Sequence, residues 1–428
     1  MLNLRIITHK KLLARKTTMR NITVPAQEQF AVLSQNVEEI IGKEELLQKL
    51  KDSYDSDTPL RIKLGADPSR PDLHIGHGVA LQKMKQFQDF GHTILFVIGD
   101  FTALIGDPSG KNSLRPMLSP EQVTANAETY KAQVSKVLDT RKMEVLYNST
   151  WLGKLSSYEM IKILAAHTVQ QLLARDDFSK RYSRETPIFM HELVYPVMQA
   201  YDSYAIRADI EFGGTDQKFN LLLGREVQRH FKQKAQNIIL MPLIEGLDGV
   251  QKMSKSLDNY IGFTDQPEDM FGKIMSISDT MMRKYIQFLG VFSNEQRDQL
   301  LTQLDSASIH PMEAKKILGE ATVKTYWDED KSIQARKHFE NVFSKKQLPD
   351  ELNEIQVTLQ ANGCIDILEI SIQAGFSTSR SEARRVLKQN GMKLDNITVE
   401  QEKPSIPSDT TTLIFRQGKR KMVRLLLM

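Results

Sequence analysis

Two histidines, His74 and His77, flank Gly76 in the run L-H-I-G-H-G. Two lysines with the same spacing, Lys252 and Lys255, fall in K-M-S-K-S, downstream of a loop loosened by Gly246 and Gly249. Either pair alone is weak, because helical histidine pairs are commonly decoration and Lys-x-x-Lys is commonly solvated charge. Taken together they are neutral donors and cations suited to oxygens on which negative charge builds. Such chemistry needs positioned donors rather than a covalent nucleophile. A third group, Tyr195, Gln199 and Asp202 in Y-P-V-M-Q-A-Y-D, recurs at intervals of four and three and so shares one helix face.

These residues need elements to hold them. Arg61 to Ala66 is short and mostly apolar, a strand pattern. Asp67-Pro68-Ser69-Arg70-Pro71 cannot continue it, because its prolines lack amide donors and the residues before them avoid helix. From about Leu73 the apolar spacing turns helical until Gly91. Strand, tight loop and helix collect unpaired N–H groups and the positive dipole end, a seat for phosphate, and Gly76 leaves room for a ligand to approach the backbone.

Thr93 to Gly99 reads as a buried parallel strand leading to the turn formers G-D-P-S-G at 106–110. Residues 34–52 read as an amphipathic helix, and two further helices are expected at about 120–138 and 157–174. Asn237 to Leu243 reads as the last strand. The fold class is therefore α/β, a doubly wound, Rossmann-like parallel sheet with a helical insertion at about 118–190. A small all-α domain and an α+β unit follow it.

The bulk properties are those of an ordinary soluble protein of 428 residues, with no apolar run long enough to span a membrane. The lone Cys364 excludes an internal disulfide, and no Cys cluster or H-E-x-x-H pattern supports a structural zinc site, so no metal ligands are assigned. A net charge of +4 hides basic ends on a mildly acidic body, as expected if the ends meet a polyanion. Met1 to Arg20 carries six Lys/Arg and no acid. It suits either a mitochondrial transit peptide or a disordered extension. The second is taken, with a cytoplasmic location and the mitochondrial matrix as the alternative.

With D-P-S-R-P-D-L-H-I-G-H after a strand and K-M-S-K-S after the last strand of the same unit, the chain resembles the class I aminoacyl-tRNA synthetases. More narrowly it resembles their bacterial tyrosyl branch with a C-terminal S4 domain, over roughly residues 34–428. The resemblance implies activation of tyrosine by ATP, with Mg²⁺, and transfer to tRNA(Tyr) by a homodimer. It implies that His74, His77, Lys252 and Lys255 act on the phosphates. Asp107, Tyr195 and Gln199 would hold the tyrosine ammonium, Asp202 its hydroxyl, and Gln217 its carboxylate region. On the ATP side it implies Gly65, Asp67, Gly76, Asp216 at the ribose, and Ser69, Lys111, Arg115, Lys255 and Ser256. One position departs: Lys63 stands where the larger tyrosyl subfamily carries a second partner for the hydroxyl, and its role is unassigned.

The resemblance also divides the chain. Residues 1–33 are an extension, 34–263 the catalytic domain with its loop at 252–256, and 264–344 a helical anticodon-region domain. Residues 345–360 are a linker and 361–428 the S4-like unit. In that last unit Arg380, Arg384, Arg385, Lys388, Lys419, Arg420 and Lys421 are expected to meet RNA phosphates. Two other readings share these signatures: the tryptophanyl sister enzyme, and a non-catalytic RNA-binding protein on the same scaffold. G-G-T-D-Q at 213–217 and the S4-like tail favour the tyrosyl branch.

Overall fold

A computed structural model of the chain describes residues 20–68, 72–107, 119–344, 352–360, 363–395, 397–407, 410–418 and 421–428. Two compact units divide between Arg336 and Lys337.

The first unit is built on six strands: β1 (Glu39–Ile41), β2 (Arg61–Ala66), β3 (Thr93–Ile98), β4 (Met143–Tyr147), β5 (Ile210–Gly214) and β6 (Asn237–Met241). Their order in the sheet is β1-β6-β5-β2-β3-β4. All neighbours run parallel except β1, which pairs antiparallel with β6. Every residue of β6 and all but the first of β3 are buried, the pattern of strands covered on both faces. From β2 the chain winds outward through β3 and β4, then returns to build β5 and β6 on the other side. The order therefore reverses between β2 and β5, and a crevice opens there at the carboxyl ends of the strands.

Local signals set the ends of several helices. Ser119 accepts from Gln122 N while the Gln122 side chain takes the Ser119 N–H, with Pro120 at the first helical position of Pro120–Val134. Five α-helices between Pro267 and Phe339 follow the sheet, as the polar helical pattern predicts.

Four expectations are corrected. The stretch 34–52 is not one helix: β1 occupies Glu39–Ile41, and the helix Lys43–Ser56 starts only after Gly42, whose φ is +80°. The open edge of β6 captures Ile40 and Ile41, and Asn237 of β6 binds the carbonyls of Ile41 and Gly42. The stretch 157–174 forms two helices, Ser157–Leu164 and Val169–Leu173, because Thr168 caps the second with Gln171. The insertion at 118–190 is not wholly helical, since it contains β4 paired with β3. Finally, the stretch 345–360 contains a strand, β7 (Glu354–Val357), that belongs to the second unit's sheet.

That second sheet continues with β8 (Met392–Leu394), β9 (Ile397–Thr398), β10 (Thr412–Gln417) and β11 (Lys421–Leu427), in the order β7-β11-β10-β8-β9. Helices Ile367–Gln373 and Arg380–Lys388 contribute Leu368, Ile370, Ala383 and Leu387 to a core with Phe415 and Leu425.

Candidate active site

The crevice is lined by segments that leave the strands. Gly65 is near the end of β2 and Asp67 follows it directly, and the helix Ile75–Asp89 begins right after His74. This start is fastened to the segment that follows K-M-S-K-S. Ile75 N donates to Ile261 O and Phe263 N to Leu73 O, each at 3.0 Å, around a bridge between His74 and Gly262. Backbone hydrogen bonds thus tie the start of this helix to the segment a few residues beyond K-M-S-K-S.

The His74 and His77 rings lie 3.8 Å apart, with the His74 N–H donating to His77 Nδ1 at 3.2 Å. His74 is buried and His77 opens to solvent. Desolvation first, then the neighbouring ring and Lys255, hold His74 well below the usual imidazole value. The crowding of protein atoms around its inner edge, and then Lys255, lower His77 below the usual imidazole value as well, though its outer edge meets water. Both rings are neutral at pH 7 and keep N–H donors. A Cβ on Gly76 would stand 3.0 Å from His74 Nδ1, so the missing side chain also leaves room for that ring. At Gly65 a Cβ would meet nothing within 4 Å, which leaves the approach open to a ligand.

Lys252 pairs with Asp216 at 2.8 Å, so the loop lysine meets the acid in the turn just after β5. Lys255 Nζ stands 5.4 Å from the centre of the Tyr130 ring. Ser256 lies in the single turn Lys255–Leu257. Ser69, Lys111 and Arg115 lie outside the described residues.

At the other end of the crevice the acids form one connected chain. Tyr195 donates to Asp67 Oδ2 at 2.9 Å and Thr102 to Oδ1 at 2.8 Å. Asn148 Nδ2 reaches both Thr102 Oγ1 at 3.0 Å and Asp202 Oδ2 at 3.2 Å, and Trp151 Nε1 donates to Asp202 Oδ1 at 2.8 Å. Removal from water pushes Asp67 up to about 7, with Asp107 and Asp202 adding to the rise. Burial likewise pushes Asp202 up to about 6, opposed by Lys63, Trp151 and Asn148. Gln217 Nε2 lies 3.3 Å from Asp107 Oδ2, and Asn220 bridges the oxygens of Gln217 and Gln199. All five residues expected at tyrosine therefore fall within two adjoining networks.

Sequence reasoning missed Thr102, Asn148, Trp151 and Asn220. Only their positions just after strand ends could have flagged the first three. Lys63 now has a place: its Nζ sits 2.7 Å from Glu211 and 2.7 Å from Ser203 Oγ, fully buried. It also donates to Gln199 O at 3.3 Å. Lys63 and Glu211 face each other in the β2–β5 register, so the ion pair is a cross-strand pair beneath the crevice.

In the second unit, two of the expected RNA contacts are engaged with acids. Arg380 pairs with Asp366 and Glu369, each at 2.9 Å, and Arg384 pairs with Glu402 at 2.5 Å. Lys421 donates to Phe376 O at 2.6 Å, whereas Arg385 and Lys388 are exposed on their helix. Lys419 and Arg420 lie outside the described residues.

A family model described as class I tRNA synthetases (W and Y) matches residues 55–344. The chain belongs to this class I tRNA synthetase family. Among its relatives, the tyrosine–tRNA ligase of Geobacter sulfurreducens is 47% identical over 399 residues, 93% of this chain and 98% of that one. The tyrosine–tRNA ligase of Thermotoga maritima is 42% identical over 399 residues, 93% and 97% of the two chains. The fold is shared with the tyrosyl-tRNA synthetase of Archaeoglobus fulgidus solved with L-tyrosine, at a TM-score of 0.58 and 22% identity. That match covers 73% of this chain and 99% of the other. A truncated mitochondrial tyrosyl-tRNA synthetase from Aspergillus nidulans gives a TM-score of 0.62 at 17% identity, covering 75% and 95%.

Proposed function

We propose that this chain is a tyrosine–tRNA ligase. It joins L-tyrosine to ATP as tyrosyl-adenylate, releasing pyrophosphate, and then passes the tyrosyl group to the 3′ end of tRNA(Tyr). The observation that carries the choice of amino acid is Asp202, a buried carboxylate held by Trp151 and Asn148 in the same network as Tyr195 and Asp67. A carboxylate there accepts from a phenol hydroxyl, while phenylalanine would leave it desolvated without that partner.

The phosphate end supplies the chemistry. A carboxylate oxygen of tyrosine attacks the α-phosphorus, the new C–O–P bond forms, and the bond to the β-phosphate oxygen breaks. Neutral His74 and His77 donate to phosphate oxygens as charge accumulates, without having to lose a proton first. Lys252 and Lys255 neutralise the departing pyrophosphate, a contact worth most in the transition state. Mg²⁺ would come with ATP on its phosphate oxygens. Among the described residues there is no group of three or more His, Cys, Asp or Glu placed to hold an ion.

The assembly is a homodimer, and the region before the long helix Met190–Ala205 supports it. Tyr158, Ile161, Val169, Tyr182, Phe189 and Met190 all expose large apolar surface there. The α-helices from Pro267 to Phe339 and the second unit would serve tRNA, with Arg385 and Lys388 as phosphate contacts, in the cytoplasm. No helix among the described residues is long and apolar enough to cross a membrane.

Amino acid-dependent ATP–pyrophosphate exchange tests the reading. Exchange with tyrosine, and none with phenylalanine or tryptophan, is expected; exchange with tryptophan alone overturns it. Removal of residues 345–428, a cut placed before β7, should keep exchange and cripple tRNA charging.

A further inference from the structure

Arg175 belongs to none of the substrate contacts assigned above. It stands just before the helix Asp176–Ser183 on the segment between β4 and β5, and it is 6% exposed. Its Nε and Nη2 are taken by Asp177 at 2.6 and 2.7 Å. Its Nη1 donates to Asn220 Oδ1 at 3.2 Å.

A guanidinium carries donors only, so it can meet the Asn220 amide only at the oxygen. That choice turns Asn220 Nδ2 toward the crevice, where it donates to Gln199 Oε1 at 2.9 Å and Gln217 Oε1 at 3.0 Å. Each glutamine then has its oxygen committed to Asn220. Gln217 must present its nitrogen to Asp107 Oδ2, 3.3 Å away, where a carboxylate can only accept. Reversing any single amide sets donor against donor, or carbonyl against carboxylate. Because Asn220 is 2% exposed, water cannot repair such a mismatch.

We propose that Arg175 and Asn220 are positioning residues for the amino acid. The cation outside the crevice fixes the direction of the Asn220 amide. Asn220 fixes Gln199 and Gln217, and Gln217 keeps Asp107 supplied with a donor and available to the substrate ammonium. The proposal rests on reading this pocket as the tyrosine site.

The test compares Arg175→Leu and Arg175→Lys with the unaltered chain in tyrosine-dependent exchange, with KM for tyrosine and for ATP measured separately. Inhibition by 3-(4-hydroxyphenyl)propionate, tyrosine without its ammonium group, is measured alongside. Arg175→Leu should raise the tyrosine KM about tenfold, the effect of one misdirected charge-assisted hydrogen bond, and leave the ATP KM unchanged. The inhibitor should bind almost as before, and Arg175→Lys, also a donor only, should restore most of the loss. If the leucine variant does not fold, Arg175→Gln keeps a polar side chain but allows either amide direction, and it should raise the tyrosine KM selectively. An unchanged tyrosine KM overturns the proposal, as does a loss shared equally by tyrosine, ATP and the inhibitor. Absence of tyrosine-dependent exchange in the unaltered chain would instead overturn the tyrosine reading itself.

Discussion

Trp151 gives its indole N–H to Oδ1 of Asp202 at 2.8 Å, and Asn148 covers Oδ2 of the same carboxylate at 3.2 Å. Both donors favour the ionised form against a burial that pushes Asp202 up to about 6. The kcat/KM for tyrosine should therefore fall as pH drops through about 6, where the acceptor becomes protonated. Trp151→Phe removes one donor and should move this acid limb upward by about one pH unit, the equivalent of one hydrogen bond to a carboxylate. The stability term has the opposite sense. A raised carboxyl value stabilises the fold below the group's ordinary range, and that stabilisation is lost as pH rises through about 6. Melting curves across the same pH range should thus show no unfolding from this group at the acid end, which separates lost affinity from lost structure.

Lys63 predicts a stability effect. Its ammonium and the Glu211 carboxylate are both desolvated, so removing one leaves the other buried and unpaired. Lys63→Met should destabilise the first unit by about 3–5 kcal/mol in denaturant titrations. Adding Glu211→Gln should recover most of that loss, because a neutral amide still accepts from Ser203. Equal instability of the single and double variants would show that packing, not charge, is at stake.

Gly99 and Gly65 make a contrasting pair. A Cβ on Gly99 would fall 2.0 Å from Asp67 Oδ1 and 2.4 Å from Thr102 Oγ1, so Gly99→Ala must displace the Asp67 carboxylate. A drop of about 100-fold in kcat/KM for exchange is expected from such a shift. Gly65→Ala meets only open space and should leave the melting temperature unchanged. Activity lost by that second variant would report a ligand passing over Gly65.

Lys255→Ala tests the closing loop. If the lysine acts on departing pyrophosphate, the rate of adenylate formation should fall by about 100-fold, or ~3 kcal/mol. Tyrosine binding at equilibrium should change little. Rapid-quench measurement of adenylate formation beside equilibrium dialysis decides between this and a general loss of the site, which would lower both.

The sequence by itself determined the parts whose signal is local. The strand Arg61–Ala66 and the helix after His74 follow from apolar spacing broken by proline, and Gly246 and Gly249 mark the loop that leads into K-M-S-K-S. The shared face of Tyr195, Gln199 and Asp202 follows from helical periodicity alone. Partners across the sheet were not legible, because no local period records them. Lys63 reads as an ordinary polar strand residue until parallel pairing brings Glu211 opposite it. Asn148 and Trp151 gain meaning only once β4 lies beside β3 and aims its end at Asp202. The short strands β1 and β7 escaped for the same reason: each is a few residues long and exists because a distant strand edge offers hydrogen bonds. Tertiary structure alone decided which buried acids stay ionised and which way the amides between them point, since both depend on desolvation and on donors arriving from remote turns of the chain.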